Sequence, residues 1–538
     1  MKRNILKITI ISCFSLIGLL FISSCEKDVV ELVPIDRFTP ATVFDTYDHC
    51  DLAVKGVYAL AQSGVYPAAG AERGYPFGAA SIEQSDMRGE DMMNIEAFFQ
   101  VTYEANYTTT SAPNNDGMWE NTYSVVNGAN IVIDGLEGAI AGGVLTAAEG
   151  ESFIAECKFI RALSIHNLLI HFARPFAEQG NKRYGVPYYD YPINTPEAIE
   201  RGLAHGRNTL DECYAKIIED LDYAESKIPK EVSRISRVTQ GAAIALKVRV
   251  KLHKGDWTGS KAEAAKLINA SMQSPIGGYA IEPDPMTPFA NYTSNKESIF
   301  SIDNSPLRNP SVNGSLPSMY SVTALGGRAL ISLSPVGYNN PYWLDETKDK
   351  RRDMFRLGSY DLLYLRKYED NVSAMSQWAP IIRYAEVLLT YAELIIRTGG
   401  SVSDALPYLN SVRNRSLINS PVDAYTVSSF ADTKEFMKAV LGERRIEFLG
   451  EGRRWEDIHR LFLDPDYSTG GIPAKPDRTK IGALMNAGTP VYIVGGTVPA
   501  DAFNIQFIPY SDRRCVFPIP INSVSRNPLL ASQQNEGW

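Results

Sequence analysis

Apolar residues recur every three to four positions through most of this 538-residue chain, and the segments that carry the pattern come in pairs. That spacing lines apolar side chains along one face of an α-helix, because a turn takes about 3.6 residues. Residues 42–62 ("TVFDTYDHCDLAVKGVYALAQ") open on a threonine cap and place Val43, Tyr47, Leu52, Val54 and Tyr58 at loosely helical intervals. Residues 117–139 and 147–172 predict two more helices, and in the second Phe153, Cys157, Ile160, Leu163 and Leu168 step along one face. Residues 209–229 begin with a Thr209-x-x-Glu212 capping box and stop at Pro229. Helices follow at 239–257 and 260–273, and the pattern returns at 380–397, 402–415 and 432–449.

Small residues alternating with Leu and Tyr in these pairs predict tetratricopeptide-like packing, in which each pair buries its face on the next. Between 274 and 379 the periodicity is lost and Pro, Gly, Asn, Tyr and Trp dominate. A loop-rich insertion of that size on a helical scaffold is where binding residues collect. Beyond Gly470 the chain reads as loop and short strand ("VYIVGG", "NIQFIPY"). No Pro/Ser/Gly-rich linker divides it. Residues 41–538 are therefore expected to form one mainly α domain: a helix-pair scaffold with a loop-rich insertion at about 274–379 and a few short strands.

The N-terminus has a different pattern. Lys2, Arg3 and Lys7 precede the apolar run 8–22 ("ITIISCFSLIGLLFI"), which is short for a membrane span but suits the core of a signal peptide. The run ends in "ISSC", a branched residue and two small ones before Cys25, as in the lipobox of bacterial lipoproteins. Residues 1–24 are thus expected to be a signal peptide, Cys25 the site of lipid attachment, and residues 25–40 a tether. The alternative is an ordinary secretory signal cut near Ser24. Two or three acyl chains would anchor the protein stably.

Losing residues 1–24 removes three cations and no anion, moving the net charge from −9 to −12. That balance argues against nucleic acid or anionic lipid as the main partner. The cysteines, Cys13, Cys25, Cys50, Cys157, Cys213 and Cys515, form no CxxC pair, so no zinc site is suggested. The six histidines are equally scattered. His166 and His171 fall roughly 140° apart on a helix and would not share a metal.

Residues 442–461 ("GERRIEFLGEGRRWEDIHRL") hold five arginines and five carboxylates and invite a catalytic reading. Glu447 with Glu451, or Asp457 with His459, would be the pairs. Glycoside hydrolysis, however, needs a carboxylic acid that can give up a proton in an open cleft. Here each carboxylate has an arginine within a few residues, which keeps it ionised. The stretch is expected to be an ion-pair network that fixes helices.

The same stretch resembles the C-terminal signature of the SusD/RagB family, Arg-Arg-x-Glu-Phe followed by Glu-Gly-x-Arg-Trp-x-Asp. "IIRYAEVLLTYAEL" (381–394), "ALPYLNSVRNRS" (405–416) and "FPIPINSVSRNPLLASQQNEGW" resemble further family motifs in the family order, and the resemblance covers nearly all of 40–538. Ser523 and Ser532 are small departures from the closing motif. The resemblance implies a SusD-like helical fold and a lipid-anchored protein on the outer-membrane surface. It also implies a SusC-like TonB-dependent transporter as partner, an oligosaccharide or peptide ligand, no cofactor, no metal and no enzymatic activity. A lid that completes the transporter, with little ligand affinity of its own, is the other role it allows. The family's ligand contacts are aromatics on loops, which points to 64–93 and 314–345. A sugar ring stacks its C–H face on an aromatic ring while its hydroxyls meet polar groups at the rim. The candidates in the first loop are Arg73, Tyr75 and Phe77; in the second they are Tyr320, Tyr338, Asn339, Asn340, Tyr342 and Trp343. Trp119, Trp257 and Trp455 sit on helical motifs and read as core.

Overall fold

The computed structural model describes residues 42–66, 71–110, 113–178, 183–230, 234–370 and 372–538. Cys25 and the segments expected to be a signal peptide (1–24) and a tether (25–40) lie outside the described residues. The fold is mainly α. Helices α1 (Tyr47–Ser63), α2 (Ala79–Arg88), α3 (Pro113–Ala141), α4 (Ala147–Phe172), α5 (Pro196–Leu203), α6 (Leu210–Lys227), α7 (Gln240–Lys254) and α8 (Trp257–Ala265) make the first half. Helices α9 (Tyr384–Arg397), α10 (Val402–Arg413), α11 (Thr433–Glu447), α12 (Arg453–Leu461) and α13 (Arg478–Asn486) make the second. Packing is serial: α3 on α4, α4 on α6, α6 on α7, α7 on α8, α8 on α9 and α9 on α10, with α1 laid across α3 and α4. No described helix is long and apolar enough to cross a membrane.

Local chemistry explains most boundaries. Thr146 and Glu149 form a capping box at the start of α4, and Thr209 and Glu212 form the expected one at α6. Helix α1 starts later than the sequence pattern suggests, because Thr46 rather than Thr42 is its cap. Helix α8 ends early for a related reason. The Asn269 side chain accepts the backbone N–H groups of Ser271 and Gln273 and so offers the chain a turn in place of another helical turn. Residues 380–383, expected to open a helix, belong instead to the strand Ala379–Arg383, paired antiparallel with Ser298–Ile302. That pairing closes the base of the insertion. Trp119 and Trp455 are core as expected, whereas Trp257 is 40% exposed at the start of α8, under the Arg397 guanidinium.

The charged stretch 442–461 is the centre of a buried frame. Arg383 donates to both Glu451 oxygens at 2.8 Å and to Glu447 at 3.0 Å, and also pairs with Glu297. Arg415 bridges Glu297 and Glu447, each at 2.5 Å. Arg351 reaches Glu443 at 2.5 Å, and Lys367 reaches Glu451 at 2.7 Å. Arg460 ties Glu393 to Asp457, which Arg444 also holds at 2.9 Å. Arg445 and Arg454 clamp Asp91 and Glu90, carrying the frame across to the N-terminal half. Burial pushes the Glu447 carboxyl up, but Arg415, Arg383 and Arg351 outweigh it and hold the group at about 2. The same contest, with Arg454 and Arg445, leaves Glu90 at about 2. These groups stay ionised and locked together, as scaffold.

Candidate ligand-binding face

Most of the aromatics singled out from sequence lie in the interior. In "GYNNPYW" the Trp343 ring is 1% exposed and lies 3.8 Å from the Arg352 guanidinium, which also covers Tyr338 at 4.2 Å. Arg352 donates to the carbonyls of Tyr338, Trp343 and Leu344, so cation and rings close the loop on itself. Asn339 exchanges hydrogen bonds with the backbone of Val491 and Ile493. Asn340 accepts the Tyr342 N–H at 3.0 Å, and Tyr342 is half-buried. Tyr320 is fully buried and donates to Asp86 at 2.8 Å. Tyr75 is buried beside Gln84 and Asn114, and Phe77 is buried too. A sugar cannot stack on a ring it cannot reach. The expected ligand role of Tyr75, Phe77, Tyr320, Asn339, Asn340 and Trp343 is therefore corrected to packing and loop closure, while Tyr338 and Tyr342 are half-buried.

Arg73 is different. It sits on the strand Ala71–Tyr75, half-buried, with its guanidinium 4.5 Å from the centre of the Phe98 ring. Arg328, from the insertion, stands 5.0 Å from the same ring and donates to Asn313 at 2.6 Å. Phe98 is itself half-buried, in the turn Ala97–Phe99. Two loops far apart in sequence meet here because two glycines do. A Cβ on Gly74 would lie 2.5 Å from the Gly314 carbonyl oxygen, and one on Gly314 would lie 2.6 Å from the Gly74 nitrogen. The Gly314 carbonyl also accepts the Ala79 N–H at 3.1 Å, at the start of α2. Backbone can approach backbone that closely only where no side chain intervenes.

The arrangement is an apolar ring flanked by guanidinium and amide donors, mounted on a rigid frame. Beneath it lies Glu83, fully buried, with neither carboxylate oxygen hydrogen-bonded. Burial pushes its carboxyl well above the usual range, Asp86 adds to this, and Arg328 and Arg73 oppose it. Asp86 is held at about 7 by burial, against the hydrogen bonds from Tyr320 and Gly452. Both side chains are carried by α2 itself and are buried from solvent. Arg73 and Arg328 fall within the two loops expected from sequence, although Arg328 was not singled out, and Phe98 and Asn313 lie outside both. The sole signal was "NG" at 313–314, a turn dipeptide inside a binding-type insertion.

Comparison with known proteins fits the geometry. A family profile described as "SusD family" matches residues 335–538, and one described as "Starch-binding associating with outer membrane" matches residues 55–252. The chain is a SusD-like protein. A SusD-like protein P2 of Formosa agariphila is 25% identical over 398 residues, covering 67% of this chain and 74% of that one. The crystal structure of a SusD superfamily protein from Bacteroides fragilis superposes with a TM-score of 0.71 at 24% identity, covering 91% of this chain and 99% of that one. Surface glycan-binding protein A from Bacteroides uniformis superposes with a TM-score of 0.66 at 20% identity, covering 91% and 99%. The SusD assignment agrees with the helix-pair scaffold, and the two matched segments flank most of the insertion.

Proposed function

We propose that this SusD-like chain captures saccharides at the outer-membrane surface and passes them to a SusC-like TonB-dependent transporter, without altering them chemically. The observation that carries the reading is the Phe98 ring with Arg73, Arg328 and Asn313 around it. An aromatic ring offers a stacking surface to the C–H face of a sugar, and guanidinium and amide groups at its edge satisfy hydroxyls. The description of the matching profile and the glycan-binding structural relative support the same ligand class. Lipid attachment at Cys25 supplies the anchor in this reading.

The test is calorimetric titration of detergent-solubilised full-length protein with starch, fructan, xylan, mannan and host-glycan oligosaccharides and a peptide digest. Heat with one glycan class, weakened at least tenfold by Phe98→Ala, is the expected result; tenfold corresponds to about 1.4 kcal/mol. Binding that Phe98→Ala leaves untouched would remove the site from this face. Heat with the peptide digest alone would favour a second reading, in which Arg73 and Arg328 pair with ligand carboxylates. Silence across the whole panel from folded protein would favour the lid role, with little affinity of its own. Cys25→Ser is expected to abolish acyl labelling and membrane retention.

A further inference from the structure

Arg328 leaves one edge of its guanidinium unbonded. Its Nη1 donates to the Asn313 side-chain oxygen at 2.6 Å and lies 3.8 Å from the Met319 sulfur. Nε and Nη2 have no acceptor, and the group forms no ion pair, among the described residues. Those two atoms are a parallel donor pair that grips a charged oxyanion at two oxygens at once. In the interior the protein fills such pairs with its own acids. Arg383 takes Glu451 through Nε and Nη2, each at 2.8 Å, and Arg249 takes Glu386 through the same two atoms, each at 2.7 Å.

The open pair stands at the face already described. The Arg328 guanidinium lies 5.0 Å from the centre of the Phe98 ring, and the Arg73 guanidinium lies 4.5 Å from the same centre. Two cations therefore flank one apolar surface, in a chain whose net charge is −9. Glu83, the carboxyl beneath them, offers little compensation: neither oxygen is hydrogen-bonded, and burial pushes the group towards its neutral form. The backbone holds Arg328 in place. The N–H groups of Arg328, Ala329 and Leu330 donate to the carbonyls of Ser318, Ser321 and Met319 at 2.7, 2.9 and 3.1 Å. A donor pair fixed before binding loses less freedom when a ligand arrives. A sugar hydroxyl both gives and accepts, and the Asn313 amide has the same capacity; a guanidinium only gives, and matches a group that only accepts.

We propose that this face selects acidic saccharides, with a carboxylate or sulfate ester on the sugar docked on the Nε–Nη2 edge of Arg328 beside Phe98. The inference rests on the saccharide-binding reading above and deepens it by giving the ligand a charge. Arg328 sets the specificity, while Phe98 serves acidic and neutral sugars alike.

The experiment compares ligands that differ only in charge. Oligogalacturonate and its methyl ester, and a sulfated carrageenan oligosaccharide and its desulfated counterpart, are titrated into detergent-solubilised full-length wild type, Arg328→Gln and Arg328→Lys. Wild type is expected to bind at least one acidic ligand about tenfold tighter than its neutral match at low salt, with the margin shrinking as salt screens the charges. The pair that shows the margin tells a carboxylate site from a sulfate site. Arg328→Gln is expected to lose the margin and keep the neutral affinity, which doubles as evidence that it is folded. Arg328→Lys keeps the charge without the parallel donors and should recover only part of the margin. The wild-type comparison and Arg328→Lys decide the matter even if Arg328→Gln does not fold. Equal affinity for acidic and neutral ligands in wild type would overturn the inference and leave the Phe98 site standing. A margin that survives Arg328→Gln would overturn it too, by placing charge recognition elsewhere. Failure of the wild type to bind any glycan would remove both this inference and the reading beneath it.

Discussion

Two regions of this protein are rich in the same chemistry and use it in opposite ways. In the buried frame, guanidiniums and carboxylates meet at 2.5–3.0 Å, as between Arg415 and Glu447 or Arg383 and Glu451, and nearly every donor points at a protein acceptor. On the proposed ligand face, Arg73 and Arg328 stand beside a half-buried Phe98. The frame is the more charged of the two in sequence and the less available in space. A dense run of charge thus says little about function until its partners are known; functional surface is where side chains hold their positions while part of their bonding capacity still faces water.

The largest effect should come from breaking the frame. Arg383→Ala takes one cation from each of Glu297, Glu447 and Glu451 and leaves only Arg415, Arg351 and Lys367 to balance them, and removing one partner of a buried ion pair typically costs about 3–5 kcal/mol. Urea unfolding should show that loss or a failure to accumulate folded protein; a midpoint near wild type would mean that the frame is dispensable.

Trp343→Ala sharpens the comparison from the other side. Emptying a fully buried tryptophan site should cost about 3–5 kcal/mol, with ligand affinity per folded molecule unchanged. Phe98→Ala should do the reverse, lowering affinity while shifting the melting temperature by only a few degrees. If Trp343→Ala folded normally and lost binding selectively, the division between packing aromatics and ligand aromatics would be wrong.

Acid should weaken the frame before it affects the face. Glu447, Glu90, Glu386 and Glu393 sit at about 2 in the folded protein, against an ordinary 4.5. The unfolded chain therefore takes up protons first, and the stability these groups contribute is complete above 4.5 and lost as pH falls towards 2. Buried His166 and His459, held at about 3 and about 4 against an ordinary 6.5, act in the same direction from 6.5 downward. The urea midpoint should decline below pH 6.5 and more steeply below 4.5; a flat profile from pH 7 to 4 would contradict this.

Glu83→Gln should have the smallest effect. The folded state holds the Glu83 proton above its ordinary 4.5, so this carboxyl costs stability as pH rises. The variant should match wild type at pH 4 and exceed it at pH 8 in urea unfolding. A variant less stable at both values would show that the charged form is needed.

The helical scaffold was largely legible in the sequence. The capping box at Thr209 and the apolar steps of 147–172 act within a few residues of themselves, and both elements formed where expected. Strand 379–383 was not legible, because its partner lies about eighty residues away at 298–302 and residues 380–383 continue the apolar spacing of the helix that follows them. The ligand residues failed for a related reason. An aromatic in a loop has the same appearance in sequence whether it faces water or folds under a guanidinium, as Trp343 does under Arg352.

By itself, then, the sequence determined what depends on neighbours: the helix pairs, their caps, the family signature and the structural character of the arginine-rich stretch. The tertiary structure alone decided which aromatics are open, because exposure depends on what the rest of the chain lays over a residue. Arg73 and Asn313 became neighbours because Gly74 and Gly314 let two backbones touch. Those are properties of distant segments meeting, and periodicity carries no record of them.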